Sequence, residues 1–122
     1  MKDVKKEPIP YHIALAFENK KLLCWAINMP TIHAETNLLR KLQYMQTKHK
    51  VKWERINMIV VRVRIDLEKN FYFSMSKPCV HCTNELQKTK IKKVFWSTDN
   101  GDFDVCRLCN LQTKHVSRFN RF

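Results

Sequence analysis

Two short stretches, Thr31-Ile32-His33-Ala34-Glu35-Thr36 and Ser76-Lys77-Pro78-Cys79-Val80-His81-Cys82, decide how this chain is read. Each stands where a helix is expected to begin. Thr31 is a candidate N-cap for a helix starting near His33. Behind it, Ala34, Leu38, Leu39, Leu42 and Met45 recur at helical spacing and form one apolar stripe. Lys48-His49-Lys50 ends that pattern. Pro78 suits the first turn of a second helix, expected over Cys79–Thr89.

Strands are expected around these helices. Tyr11–Phe17 and Lys21–Ile27 are apolar runs separated by Glu18-Asn19-Lys20, a hairpin-length turn. Met58–Ile65 begins apolar on both faces and then alternates with Arg62 and Arg64. That pattern fits a strand buried in the middle of a sheet and emerging at one end. Phe71-Tyr72-Phe73 extends or adds to the sheet. Val94-Phe95-Trp96 and Phe103–Leu108 complete it, with Asn100-Gly101 as a turn. The order predicts an α/β chain, helices layered on one central mixed sheet, forming a single domain over residues 1–122.

His33, Cys79 and Cys82 are the candidate metal ligands. Zinc favours thiolate and imidazole, and a catalytic zinc keeps a fourth position for water. Cysteines two residues apart on a first helical turn reach one ion, and the positive end of that helix favours their thiolates. Glu35 makes the set reactive instead of merely structural. A carboxylate beside a metal-activated water can take its proton and pass it on. Taken alone, a His-x-Glu pair is commonly surface decoration, and Pro-Cys-x-x-Cys can be half of a structural zinc site. Their conjunction, each opening a helix, is far more specific.

Other residues have competing readings. Cys106-Arg107-Leu108-Cys109 repeats the Cys-x-x-Cys spacing and, with Cys79 and Cys82, imitates a four-cysteine ribbon. On a strand, residues three apart face opposite sides, so Cys106 and Cys109 are better read as core or surface. Cys24, in an apolar strand, reads as core. His81, between the two ligands, reads as a surface or substrate-side residue. Most aromatics on such strands are core, but Trp96 and one of Phe71 or Phe73 are candidates to stack on a base.

The conjunction of His33-Ala34-Glu35 with Pro78-Cys79-Val80-His81-Cys82 resembles the zinc-dependent cytidine/deoxycytidylate deaminase superfamily, over about Tyr11 to Phe103. Ser76-Lys77-Pro78-Cys79 and Thr113–Ser117 are similar to deaminase-like proteins of large DNA viruses. The chain departs from the family in a longer gap between motifs, a short Asn28–His33 loop and fewer C-terminal helices. The resemblance implies a three-layer deaminase-like sandwich with a central mixed sheet. It also implies Zn2+ held by His33, Cys79 and Cys82, and hydrolytic loss of an exocyclic amine with Glu35 as acid/base. Asn28, at a strand end before the first motif, matches a position where family members contact sugar or base. Cytosine is the implied base.

Composition bears on the partner. Twenty-three Lys and Arg stand against eleven Asp and Glu, a net +12. That balance points to an anionic partner. The expected substrate is a nucleoside, a nucleotide or single-stranded nucleic acid, the last favoured by the interleaved cations and aromatics of Arg118–Phe122. The rival is a catalytically idle zinc protein that binds nucleic acid or a virion partner, and Glu35 argues against it. No apolar run reaches membrane-helix length and no signal peptide is visible. The chain is therefore expected in a reducing compartment, cytoplasm or nucleus, with its five cysteines unpaired. Homo-oligomers are a family habit and an expectation here.

Overall fold

The computed structural model describes residues 11–113. The basic-aromatic segment Arg118–Phe122 and most of Thr113–Ser117 lie outside them. Six strands and two α-helices follow one another as β1 (Tyr11–Glu18), β2 (Lys21–Ile27), α1 (Ala34–Gln46), β3 (Ile56–Ile65), β4 (Phe71–Ser74), α2 (Val80–Leu86), β5 (Lys93–Ser97) and β6 (Phe103–Arg107). This is the expected α/β architecture around a mixed sheet, in the order β2-β1-β3-β5-β6, with β4 also on β3. β3 and β5 are parallel and every other pairing is antiparallel.

The turns follow from few residues. Asn19, with φ 57°, makes the tight β1–β2 hairpin, because Asn tolerates the left-handed region. Between β3 and β4 the Asp66 carboxylate accepts the Glu68 and Asn70 amides. Gly101, with φ 85°, turns the chain into β6.

Register decides what each sheet face does. Ala14 opposes Ala26 on one side and Val60 on the other, and Val60 lies beside Trp96. Met58 lies beside Ala16 and Val94 on the same face. All of these are buried, and with Leu38, Leu39 and Leu42 of α1 and Leu86 of α2 they form the core. α1 packs on β1 and β2 and also touches α2, so both helices cover this one face. The small Ala14, Ala16 and Ala26 let α1 approach the strands closely. Among the described residues, the opposite face, with Ile13, Leu15, Ile59, Val61 and Phe95, is only half-buried.

β3 is central, as its double apolar pattern requires. β1 and β4 both pair with Arg62 and Val63, so they occupy opposite edges of β3. β5 takes the β4 side over Asn57–Val60. The seam between β5 and β4 is closed by hydroxyls. Ser97 Oγ donates to the Ser74 carbonyl at 2.7 Å and accepts the Arg62 amide at 3.1 Å. Ser76 Oγ donates to the Val60 carbonyl at 2.8 Å. These buried serines satisfy backbone groups that the strand change leaves without a ladder partner.

Two helix boundaries differ from expectation. The N-cap of α1 is His33, not Thr31, and it makes no side-chain cap bond. A Met29–Ile32 bridge folds Thr31 into an outward turn. α2 ends at Leu86 instead of continuing to Thr89. The Thr89 hydroxyl takes the Leu86 carbonyl, and the Gln87 amide turns to the Leu108 and Leu111 carbonyls.

Candidate metal centre

His33 and Cys79 are the N-cap residues of α1 and α2, and Cys82 lies one turn into α2. Because the two helices meet at these ends, residues 46 or more positions apart converge. The His33 Nδ1 atom is 3.0 Å from Cys82 Sγ and 3.6 Å from Cys79 Sγ. The three ligand atoms all lie within 4.8 Å of one another. Zinc bonds of about 2.0 Å to nitrogen and about 2.3 Å to sulfur, at tetrahedral angles, put neighbouring ligand atoms roughly 3.5 Å apart. The donor set and its spacing therefore fit zinc with three protein ligands.

The electrostatics point the same way. Cys79 is pulled down to about 3, first by hydrogen bonding from Cys82 and then by His33. Cys82 is pushed upward by sharing that bond and by burial. The pair thus carries one negative charge between two sulfurs. His33 is raised, chiefly by its hydrogen bond to Cys79. The shared negative charge on the two sulfurs is what favours a cation here; a coordinating thiol is deprotonated outright, and the raised His33 imidazole must give up its extra proton to ligate. Thr36 Oγ1, 3.9 Å from Cys82 Sγ, adds a weak contact to the less acidic sulfur.

Glu35 occupies the first turn of α1 and is 4% exposed. Burial drives its carboxyl up to about 7, against the pull of His33. A carboxyl poised near neutrality beside a metal site holds or releases a proton at little cost. Asn28, which is exposed, sits at the end of β2, tied to β1. Its Oδ1 accepts the His12 amide at 3.1 Å and its own amide donates to the His12 carbonyl at 3.1 Å. The side-chain NH2 of Asn28 is thereby aimed by its fixed oxygen.

Trp96 is 6% exposed and belongs to the core, with Lys77 Nζ 5.5 Å from its ring centre. A ring so placed is part of the core and is not an open stacking platform. Phe71 and Phe73 are exposed on β4, and Phe73 packs edge-on against Phe103. His81 is exposed, as anticipated for a residue between ligands. Cys106 packs against the core and Cys109 is exposed. Neither joins a metal-type cluster; among the described residues, His33, Cys79 and Cys82 form the one such group. The ribbon pairing is not formed.

Sequence reasoning did not single out His12, whose imidazole is driven down to about 4 by burial and by the charges of Arg62, His33 and Arg64. Its signal was visible only in part. The alternation of Arg62 and Arg64 marked one β3 face turning cationic, but nothing in the sequence paired that face with His12.

The fold and site together define an α/β protein whose His33, Cys79 and Cys82 form a cluster suited to a metal ion. The family model for the cytidine and deoxycytidylate deaminase zinc-binding region matches residues 12–98. The chain belongs to that family. No curated protein and no solved structure matches it significantly.

Proposed function

We propose that the protein is a hydrolytic deaminase that removes the exocyclic amine of cytosine carried by a nucleoside, a nucleotide or a single strand. The observation that supports this best is the buried Glu35 carboxyl, held up to about 7, two residues after His33 in the first turn of α1 and within the electrostatic reach of His33 and Cys79. When bound there, zinc supplies a Lewis acid that lowers the pKa of water towards neutrality. The remaining work falls to the chain. Glu35 takes one proton from the attacking water and gives it to the ring nitrogen, then takes the second from the oxygen added at the ring carbon and gives it to the amine, which leaves as ammonia. A near-neutral pKa suits both directions of that transfer. Asn28 holds the sugar or base through its oriented NH2 group. The two helix N-termini favour the negatively charged ligand set.

A structural zinc protein would need the three ligands but no buried carboxyl, whose burial carries an energetic cost. The test is turnover of cytidine, dCMP and single-stranded DNA and RNA by the zinc-loaded protein. Glu35→Gln should keep zinc and fold while losing turnover by several orders of magnitude. Undiminished turnover in Glu35→Gln would remove Glu35 from the mechanism. Loss of zinc would make it a ligand.

A further inference from the structure

The sheet has one face packed under the helices and, among the described residues, one face left uncovered. Positions on this second face alternate with the core positions, so register identifies them. Trp25, Leu15, Ile59, Phe95 and Val105 stand side by side across β2, β1, β3, β5 and β6, an unbroken apolar row. Two further rows run through Ile13 and Val61 and through Val63 and Phe73. The Phe73 ring meets Phe103 edge-on at 5.8 Å, which carries the apolar surface from β4 across to β6. A sheet face turned to water is ordinarily polar. Here Trp25 is 53% exposed and Val105 51%, at opposite edges of one row.

Size and charge say what fits there. Five strands about 4.8 Å apart and three rows about 6.7 Å apart give a footprint of roughly 500 Å2 in projection. Side-chain relief brings it near the roughly 600–1,000 Å2 that each partner buries in a standard protein interface. The β2 edge is a poorer place for association. Asn37 Nδ2 and Lys41 Nζ donate to the Ile27 and Trp25 carbonyls at 3.0 and 2.9 Å, so part of that edge is already capped. Charge on the open face is confined to its ends. Lys93 and Arg107 pair across β5 and β6 at one end, beside Asn57 at the start of β3. At the other end lie Asp66 and Glu68, just after β3, and Asp99 and Asp102, just after β5, with Lys69 as the one cation in those two turns. A nucleic-acid strand needs cations among the bases it stacks, and the three apolar rows hold none.

Independently of the deaminase reading, we infer that this open face is a homodimer interface, in which two sheets pack face to face with their strands running in opposite directions. A two-fold axis lying in the interface and crossing the strands sets each β5–β6 pair over its equivalent, end for end. Lys93 and Arg107 of one copy then meet Asp99 and Asp102 of the other, and chains of net +12 avoid stacking their basic ends. The two sheets lie about 10 Å apart, with the side chains of both inner faces interdigitating. Both helix layers, and with them both clusters of His33, Cys79 and Cys82, face outward. The dimer therefore leaves each metal centre open.

The experiment is sedimentation equilibrium of the full zinc-loaded chain after nuclease treatment, over about 1–100 µM and at low salt and about 0.5 M salt. The expected mass at the upper concentrations is twice the 14.7 kDa of one chain at both salts, since an apolar interface outlasts screening. Trp25→Glu and Val105→Glu each put a charge into the interface. Either should weaken dimerisation by at least about tenfold, with zinc content and circular dichroism unchanged. Tyr44→Glu, on α1 and 63% exposed, should dimerise as the parent does. Arg107→Glu reads the orientation. Reversed sheets bring the new carboxylate to an acidic end and weaken the dimer several-fold, whereas sheets laid in the same direction lose a basic repulsion and tighten. A tighter dimer in Arg107→Glu would therefore overturn the reversed packing. A parent that stays monomeric throughout would overturn the interface, leaving the face to another segment of the chain or a foreign partner. A dimer untouched by Trp25→Glu and Val105→Glu would place the contact elsewhere on the molecule. Association abolished by nuclease or by salt would make nucleic acid the occupant. None of these outcomes measures turnover, so the deaminase reading stands or falls separately.

Discussion

His12→Gln gives a sharp test of how the sheet end is built. His12 is half-buried against Arg62, Arg64 and His33, and burial, the largest influence, takes its pKa from 6.5 to about 4. Between those values the unfolded chain binds a proton that the folded chain refuses. The unfolded state then holds more protons, so stability falls as the pH drops from 6.5 towards 4. The span is worth about 3.5 kcal/mol at most, at roughly 1.4 kcal/mol per unit, and partial exposure reduces it. Gln cannot titrate, and the hydrogen bonds to Asn28 use the His12 backbone, so they survive the change. Urea unfolding of both proteins at pH 8, 6, 5 and 4 reads the effect. The stability difference should shift in favour of His12→Gln by about 1–3 kcal/mol between pH 8 and pH 4. Zinc ligands also protonate over this range, so zinc content is measured in both proteins at each pH and the comparison is made where it is equal. Parallel curves, or an imidazole resonance for His12 titrating near 6.5, would refute the cationic environment drawn here.

Further expectations concern the fold. Leu42→Ala removes a fully buried side chain from the α1 stripe and should cost about 2–5 kcal/mol in denaturant unfolding. Ser97→Ala strips the seam hydroxyl from the Arg62 amide and the Ser74 carbonyl, and should cost about 1–3 kcal/mol. Gly101→Ala places a β-carbon in open space but at φ 85°, so a loss of about 1 kcal/mol from backbone strain alone is expected.

Much of this was legible before any coordinates, for identifiable reasons. Strong periodicity in Ala34–Met45 and double-sided burial in Met58–Val61 are local patterns with few competing readings. The cluster of His33, Cys79 and Cys82 was legible because Cys79 and Cys82 sit within one turn and His33 opens a second helix. What escaped were boundaries and tertiary partners. Thr31 has the chemistry of a cap, yet the Met29–Ile32 bridge turns it outward and His33 takes the position. Thr89 has a helix-compatible position in the sequence, but its hydroxyl donates to the Leu86 carbonyl and α2 ends there. Trp96 faces the helices because strand parity sets it beside Val60, and parity relative to neighbours needs the register. The role of Ser76 and Ser97 depends on β4 and β5 sharing one edge of β3. No single segment records that arrangement.

The central claim is that His33, Cys79 and Cys82 hold one zinc ion per chain, and metal analysis of purified variants tests it most directly. The account predicts one zinc in the parent protein and its loss in His33→Ala, Cys79→Ser and Cys82→Ser. Folding should weaken in the same variants, because metal affinity is also folding energy. Cys106→Ser with Cys109→Ser should keep the ion. Zinc retained in His33→Ala but lost from the Cys106/Cys109 double variant would contradict the account and restore a four-cysteine ribbon.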